Sequence, residues 1–263
     1  MFKFTSHHDV AGYTFIMPAV SIGNVGQLAV DLLIAKIQPL KWASAWDPAL
    51  IPIIGSDPYN LKDTSLTSTC ELFISTEHKC VIMQLRSPLI KERRSSFLSN
   101  LVTWIKGQKF EKTVCLSSIS AHVRNGPALS RIPLRYVCSD NIGESSLNSI
   151  KSLEWPLLEK RSDLPGMVLG SQQEGSNDGD FYMPQGGFTK QFYKLCLSES
   201  IPVAVLLMYC NEGCNSSDAE RLAASLNNWW MMYGRCLLLG SFCLEIPHHW
   251  KFTNENMPFL QPV

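Results

Sequence analysis

Residues 17–34 read MPAVSIGNVGQLAVDLLI: two apolar runs joined by a short link that holds Ser21, Gly23, Asn24 and Gly26. Small residues at a strand–helix junction suit a phosphate cradle, because the free N–H groups of a helix N-terminus point at the anion and no side chain stands in the way. The spacing, however, matches neither G-x-x-x-x-G-K-[ST] nor G-x-G-x-x-G. The competing expectation is that Gly23 and Gly26 permit a tight turn while Ser21 or Asn24 caps the following helix. A second link, Gln185 to Thr189, reads QGGFT with Gly186 and Gly187, and it too joins an extended piece to a helix. In an open α/β sheet both links fall at carboxyl ends of strands, so they are expected to line one crevice able to take a small anion. Neither link carries an evident acid, base or metal ligand.

Other residues offer less. CLSSISAHVRN, 115–125, supplies Ser117, Ser118, Ser120 and His122. A serine nucleophile wants a strained elbow, usually G-x-S-x-G, and triad partners rarely stand this close in sequence. Asp31 and His122 are the only nominees for acid or base work. His248 and His249 are adjacent, so they point different ways, and no carboxylate is spaced to join them. Nine cysteines contain no C-x-x-C, and no histidine follows Cys210 and Cys214 at zinc spacing. No catalytic residue, cofactor or metal site is therefore assigned. Cys80, Cys115, Cys196 and Cys210 lie in apolar runs and read as reduced, buried thiols of a cytosolic or nuclear protein.

The elements that position these residues follow from hydropathy patterning. Residues 13–20 predict a buried strand with Pro18 at its end, followed by a well-covered helix from Gly26 to Ile37 on which Gln27 and Asp31 share a face. Residues 51–54 and 70–75 are weaker strand candidates, and 79–86 is a firm strand. The helix expected over 91–106 carries Phe97, Leu101, Trp104 and Ile105 at helical spacing, with Gly107 as its stop. A strand over 113–118 completes a βαβ unit. Residues 161–180 read as a mobile loop, residues from Thr189 as a helix, and 201–210 as a central buried strand. The next helix has Ser217 and Glu220 placed for a capping box and a core stripe of Ala219, Leu222, Leu226, Trp229 and Tyr233. The tail, 247–263, has no clear period. The expected architecture is a single α/β domain over 1–263: three layers, with a mainly parallel sheet covered by helices on both faces.

Composition narrows the class. The chain has 263 residues, 45% hydrophobic, with 23 basic and 23 acidic side chains. That is enough for a sizeable core, and the zero net charge is unlike a nucleic-acid binder. The apolar runs are too short to span a bilayer, and the first residues lack the pattern of a signal peptide, so a soluble intracellular protein is expected. A near-neutral surface favours association. In NNWWMMYG core packing accounts for Trp229 but not for Met231, which falls on the far side of the helix; exposed Trp and Met are typical of protein interfaces, and Trp230 and Met231 are the candidate partner contacts.

MPAVSIGNVGQLAVDLL, then MQLRSP, LSS, GGFTK and LNNWW, in that order from about residue 11 to 250, resemble the proteasome assembly chaperone 2 family. The resemblance implies a nucleoside-phosphorylase-like α/β fold turned non-catalytic scaffold. It further implies a heterodimer with proteasome assembly chaperone 1 that binds proteasome core-particle α subunits, promotes α-ring assembly and prevents off-pathway α-ring dimers, in cytoplasm and nucleus. No nucleic acid or membrane is implied as partner. Related chaperones can end in a hydrophobic–tyrosine–any-residue motif that docks between α subunits. This chain reads MPFLQPV at its end, with Pro262 in the tyrosine position, which leaves Phe259, Leu260 and Val263 as candidate apolar anchors. The rival expectation is a small-molecule phosphorylase or hydrolase with its site between the two glycine links.

Overall fold

The computed structural model describes residues 1–60, 64–124, 132–160, 181–184 and 186–230. Eight strands form one sheet: β1 (Phe2–Phe4), β2 (Thr14–Pro18), β3 (Leu40–Ala45), β6 (Cys70–Ser75), β7 (Cys80–Leu85), β8 (Lys112–Ser120), β9 (Leu134–Cys138) and β10 (Val203–Cys210). Strands β4 (Ile54–Ser56) and β5 (Leu66–Ser68) make a separate hairpin. The main order is β1-β3-β6-β7-β2-β8-β10-β9. Its centre, β7-β2-β8-β10, is parallel throughout. The flanking pairs β7-β6, β6-β3, β3-β1 and β10-β9 are antiparallel. The mainly parallel α/β sheet is thus present, with antiparallel strands at its margins.

The central strands are buried on both faces, which explains their nearly continuous apolar sequences. Phe15 and Met17 of β2 and Cys115 of β8 face one core, together with Phe97, Leu101 and Ile105 of helix α2 (Arg94–Gln108) and Phe192 and Cys196 of helix α4 (Gly187–Ser198). Ile16 of β2 and Val114 and Leu116 of β8 face the other, with helix α1 (Val25–Ile37), Ile150 of helix α3 (Glu144–Ser152) and the stripe Ala219, Leu222, Leu226 and Trp229 of helix α5 (Ser216–Trp230). Pro18 closes β2 opposite Leu116, where its missing N–H costs no ladder bond.

Several local expectations need correction. Gly107 does not end α2: the helix runs to Gln108, and Lys109 takes the left-handed C-cap conformation with φ 57° and donates to the Lys106 carbonyl. Ser217 lies inside α5, whose first backbone bond runs from Ala219 N–H to the Asn215 carbonyl, so Ser217 is not at a capping position. Strand β10 is one strand in from the β9 edge; it is fully buried because helices cover both its faces. Residues 161–180, Gln185, Tyr233 and the tail 247–263 lie outside the described residues.

Candidate functional site

Strand β8 organises both glycine links, because its neighbouring residues Ser117 and Ser118 point to opposite faces of the sheet. On the α1 face, the Ser118 backbone N–H donates to Ser21 Oγ at 3.1 Å, the two hydroxyls lie 2.8 Å apart, and Ser118 Oγ donates to the Ile22 carbonyl. Ser21 is therefore spent on holding the link to the strand. Neither Ser21 nor Asn24 makes a side-chain capping bond, contrary to the sequence expectation. Gly23 and Asn24 are both left-handed, with φ 62° and 54°, which folds the chain sharply into α1.

The link is packed rather than open. A Cβ on Gly26 would stand 2.2 Å from the Leu116 carbonyl oxygen, so the glycine lets the backbone of α1 touch β8. A Cβ on Gly23 would stand 2.2 Å from Asn215 Nδ2. Asn215 is buried at the start of α5 and donates to the Gly213 carbonyl at 2.9 Å. The amide thus sits where an anion would approach Gly23.

On the opposite face, Thr189 in the first turn of α4 bonds Ser117 hydroxyl-to-hydroxyl at 2.7 Å, and both are buried. The Met183 side chain lies against Gly186, 2.3 Å from a built Cβ, and the Arg94 guanidinium lies 3.4 Å from that of Gly187. Gln191 of α4 donates to Ser95 of α2 at 2.7 Å, which ties the two helix starts together. The two glycine links therefore approach β8 from opposite faces with the strand between them, and do not line one crevice. The alternation of side chains along a strand is the physical reason.

The acid–base nominees are not brought together either. His122 is exposed after β8 and its N–H donates to Ser120 Oγ at 3.3 Å, while Ser117 and Ser118 are committed to Thr189 and Ser21. Asp31 is buried in α1, where Oδ1 accepts from Tyr59 at 2.6 Å and from Gln84 Nε2 at 2.6 Å and pairs with Arg86 at 3.2 Å. Arg86 also donates to the Tyr59 hydroxyl at 2.7 Å. Burial and the Asp31 carboxylate push the Tyr59 phenol well above its ordinary range. This network fastens residues 57–60 to α1 and β7. Sequence reading placed Gln27 and Asp31 on one face but missed their partners; the signal was Gln84, polar in an apolar strand, with Arg86 of like parity just beyond its end. Cys80, Cys115, Cys196 and Cys210 are free thiols and buried, as expected.

Of the candidate contact residues, Trp230 is partly buried against the α1–α5 core, beside Trp229, whose indole N–H donates to the Ser146 carbonyl at 3.1 Å. Met231, Phe259, Leu260 and Val263 lie outside the described residues. Among the described residues no cluster of metal-ligating side chains occurs, and no helix is long and apolar enough to cross a membrane.

This architecture has relatives. The model of the PAC2 family matches residues 15–228. A protein named proteasome assembly chaperone 2 from Xenopus tropicalis is 37% identical over 220 residues, 82% of each chain. The Nematostella vectensis protein of that name is 38% identical over 84% of this chain and 90% of its own, and the human one is 36% identical over 84% and 82%. Among solved structures, Pyrococcus furiosus PbaA, described as an archaeal homologue of proteasome-assembly chaperone, superposes with a TM-score of 0.62 at 13% identity over 87% of this chain and 85% of that one. At that identity the likeness concerns the fold. The sequence relatives and the family match together place the chain in the PAC2 family, with the proteins named proteasome assembly chaperone 2.

Proposed function

We propose that this chain is a proteasome assembly chaperone that works by binding and not by catalysis. It forms a heterodimer with proteasome assembly chaperone 1, and the pair holds α subunits of the proteasome core particle. In doing so it promotes α-ring assembly and prevents off-pathway α-ring dimers, in cytoplasm and nucleus. The observation that carries the reading is the filling of both glycine links by the protein's own groups: the Asn215 amide over Gly23, the Leu116 carbonyl under Gly26 and the Met183 side chain over Gly186. A fold whose ligand-binding corner is packed shut has its outer surfaces left for function. Phe259, Leu260 and Val263 are assigned to contact with α subunits, Trp230 and Met231 to the partner.

Co-expression with proteasome assembly chaperone 1, followed by size-exclusion chromatography with light scattering, tests it. A one-to-one complex that also retains α subunits is expected. A well-behaved monomer that ignores that partner would overturn the reading.

A further inference from the structure

Among the described residues, five of the ten large apolar side chains left in solvent fall in one stretch of the chain. Trp46, Ile51, Ile53, Ile54 and Leu66 are 69, 41, 41, 68 and 64% exposed, and all lie between the end of β3 and the start of β6. The β4–β5 hairpin holds two of them, Ile54 and Leu66. Its register pairs Ile54 with Ser68 and Ser56 with Leu66, so Ile54 and Leu66 share one face of the ribbon. Gly55 and Thr67 occupy the other face, and Thr67 Oγ1 donates to Glu71 of β6 at 2.6 Å. The Ser68 N–H donates to Glu71 as well, at 2.9 Å, and Lys41 of β3 donates to the Leu66 carbonyl at 2.8 Å while pairing with Glu71. Thr69 Oγ1 accepts from Ile53 N–H at 2.8 Å and donates to the Ile51 carbonyl at 2.6 Å. Tyr59 fastens the chain beyond β4 to Asp31.

An isolated two-stranded ribbon is marginal in water. This one is pinned to the main sheet through polar groups, and its apolar side faces out. Ile54 and Leu66 give that side an exposed apolar face, and Trp46, Ile51 and Ile53 are exposed along the chain that leads into it. Charge selects the occupant. The charged side chains among the described residues of 46–68 are Asp47 and Asp57, both acidic, and Lys41 beside Leu66 is neutralised by Glu71. A second copy seated on the same face would bring carboxylates against carboxylates, which disfavours that pairing.

We propose that this face docks the partner chain of the heterodimer, which presents an apolar centre rimmed by Lys and Arg; the proposal rests on the chaperone reading above. Ile54 and Leu66 are the central anchors, and Asp47 and Asp57 steer the approach.

The test uses the full chain co-expressed with proteasome assembly chaperone 1. The variants are Ile54→Asp with Leu66→Asp, Asp47→Asn with Asp57→Asn, and Leu157→Asp as a control. Leu157 is 58% exposed beside β9, at the opposite edge of the sheet. Circular dichroism and thermal melting establish that each variant is folded. The aspartate pair is expected to weaken the complex by about 100-fold or more, the loss of two central anchors, while Leu157→Asp binds like wild type. The asparagine pair, which keeps the turn geometry, is expected to slow association by about tenfold and to flatten its salt dependence. Wild-type affinity in the folded aspartate pair overturns the docking face and spares the chaperone reading. A wild-type homodimer dispersed by the aspartate pair overturns the heterologous occupant. Absence of any wild-type complex with the partner overturns the chaperone reading itself, and the docking proposal with it.

Discussion

Gly26 and Leu116 are in backbone contact: a Cβ added to the first would stand 2.2 Å from the carbonyl oxygen of the second. Helix α1 therefore lies on β8 with nothing between them, and the glycine serves packing. Gly26→Ala forces the helix away from the strand or strains both, and overpacking of this kind costs about 1–3 kcal/mol. Urea unfolding is expected to show that loss with an unchanged slope, in the presence or absence of phosphate. An alanine variant as stable as wild type would show that the contact is slack.

The Tyr59–Asp31–Arg86 network predicts an asymmetry between two substitutions. Tyr59→Phe keeps the ring against Phe73 and removes the hydroxyl that donates to Asp31 and accepts from Arg86, a loss of about 1–3 kcal/mol. Asp31→Ala leaves the Arg86 guanidinium without its carboxylate partner, and breaking a buried pair in this way costs about 3–5 kcal/mol. Both are expected to speed amide hydrogen exchange at residues 57–60. If the two variants lost equal stability, the ion pair would not be the stronger member of the network.

Buried acids set the alkaline limit. Burial pushes the Cys80 thiol from 9.0 up to about 12, and burial together with the Glu159 carboxylate pushes the Tyr209 phenol from 10.0 to about 12. The folded chain thus keeps protons that the unfolded chain releases. The stability from these groups is fully present below pH 9 and falls as pH rises toward 12. For Cys80 alone the slope approaches about 1.4 kcal/mol per pH unit. Cys80→Ala is expected to lose less stability than wild type between pH 8 and 10.5, measured by urea midpoints. An identical drop in both proteins would remove Cys80 from the account.

The same physics decides what could be read from the sequence. β2, β7, β8, β10 and α1 were legible because burial on two faces leaves near-continuous apolar runs. β3 was not, since LKWASA mixes exposed Leu40 with buried Trp42 across a register shift. Nor was α3, whose nine residues bury little beyond Ile150 and Ser146. The positions of the glycine links were legible from local composition, but their contents were not. Asn215 and Met183 reach Gly23 and Gly186 through the tertiary fold, and no local pattern encodes that. The exposed hairpin was hard to read for a related reason: its strands are three residues each, too short for a period to register, so the strand expected over 51–54 meets β4 only at Ile54 and β5 was not expected at all.

Trp230 and Met231 separate packing from partner contact. Trp230 already touches the α1–α5 core, so Trp230→Ala is expected to lower stability as well as partner binding. Met231→Asp is expected to weaken binding to proteasome assembly chaperone 1 while leaving the melting temperature near that of wild type. Pull-down and melting are read on the same preparations. Should both variants bind like wild type, this end of α5 lies outside the interface.

A thermal-shift series distinguishes a filled corner from an empty one. Ligand that binds only the folded state raises stability by RT ln(1 + [L]/Kd), about 2.7 kcal/mol at a hundredfold excess over Kd. Phosphate or nucleosides entering at Gly23 must displace the Asn215 amide, and at Gly186 they must displace Met183. Each displacement costs packing that the ligand has to recover, so no shift is expected for wild type at millimolar concentrations. Asn215→Ala opens the first corner without touching the backbone of the link. If this variant gained a phosphate-dependent shift absent from wild type, the corner would be an anion site closed by one side chain. If both proteins stayed unmoved, the left-handed pair Gly23–Asn24 holds the N–H groups of α1 away from any anion, and the link serves only to turn the chain. A shift in wild type itself would put the enzyme reading ahead of the chaperone one.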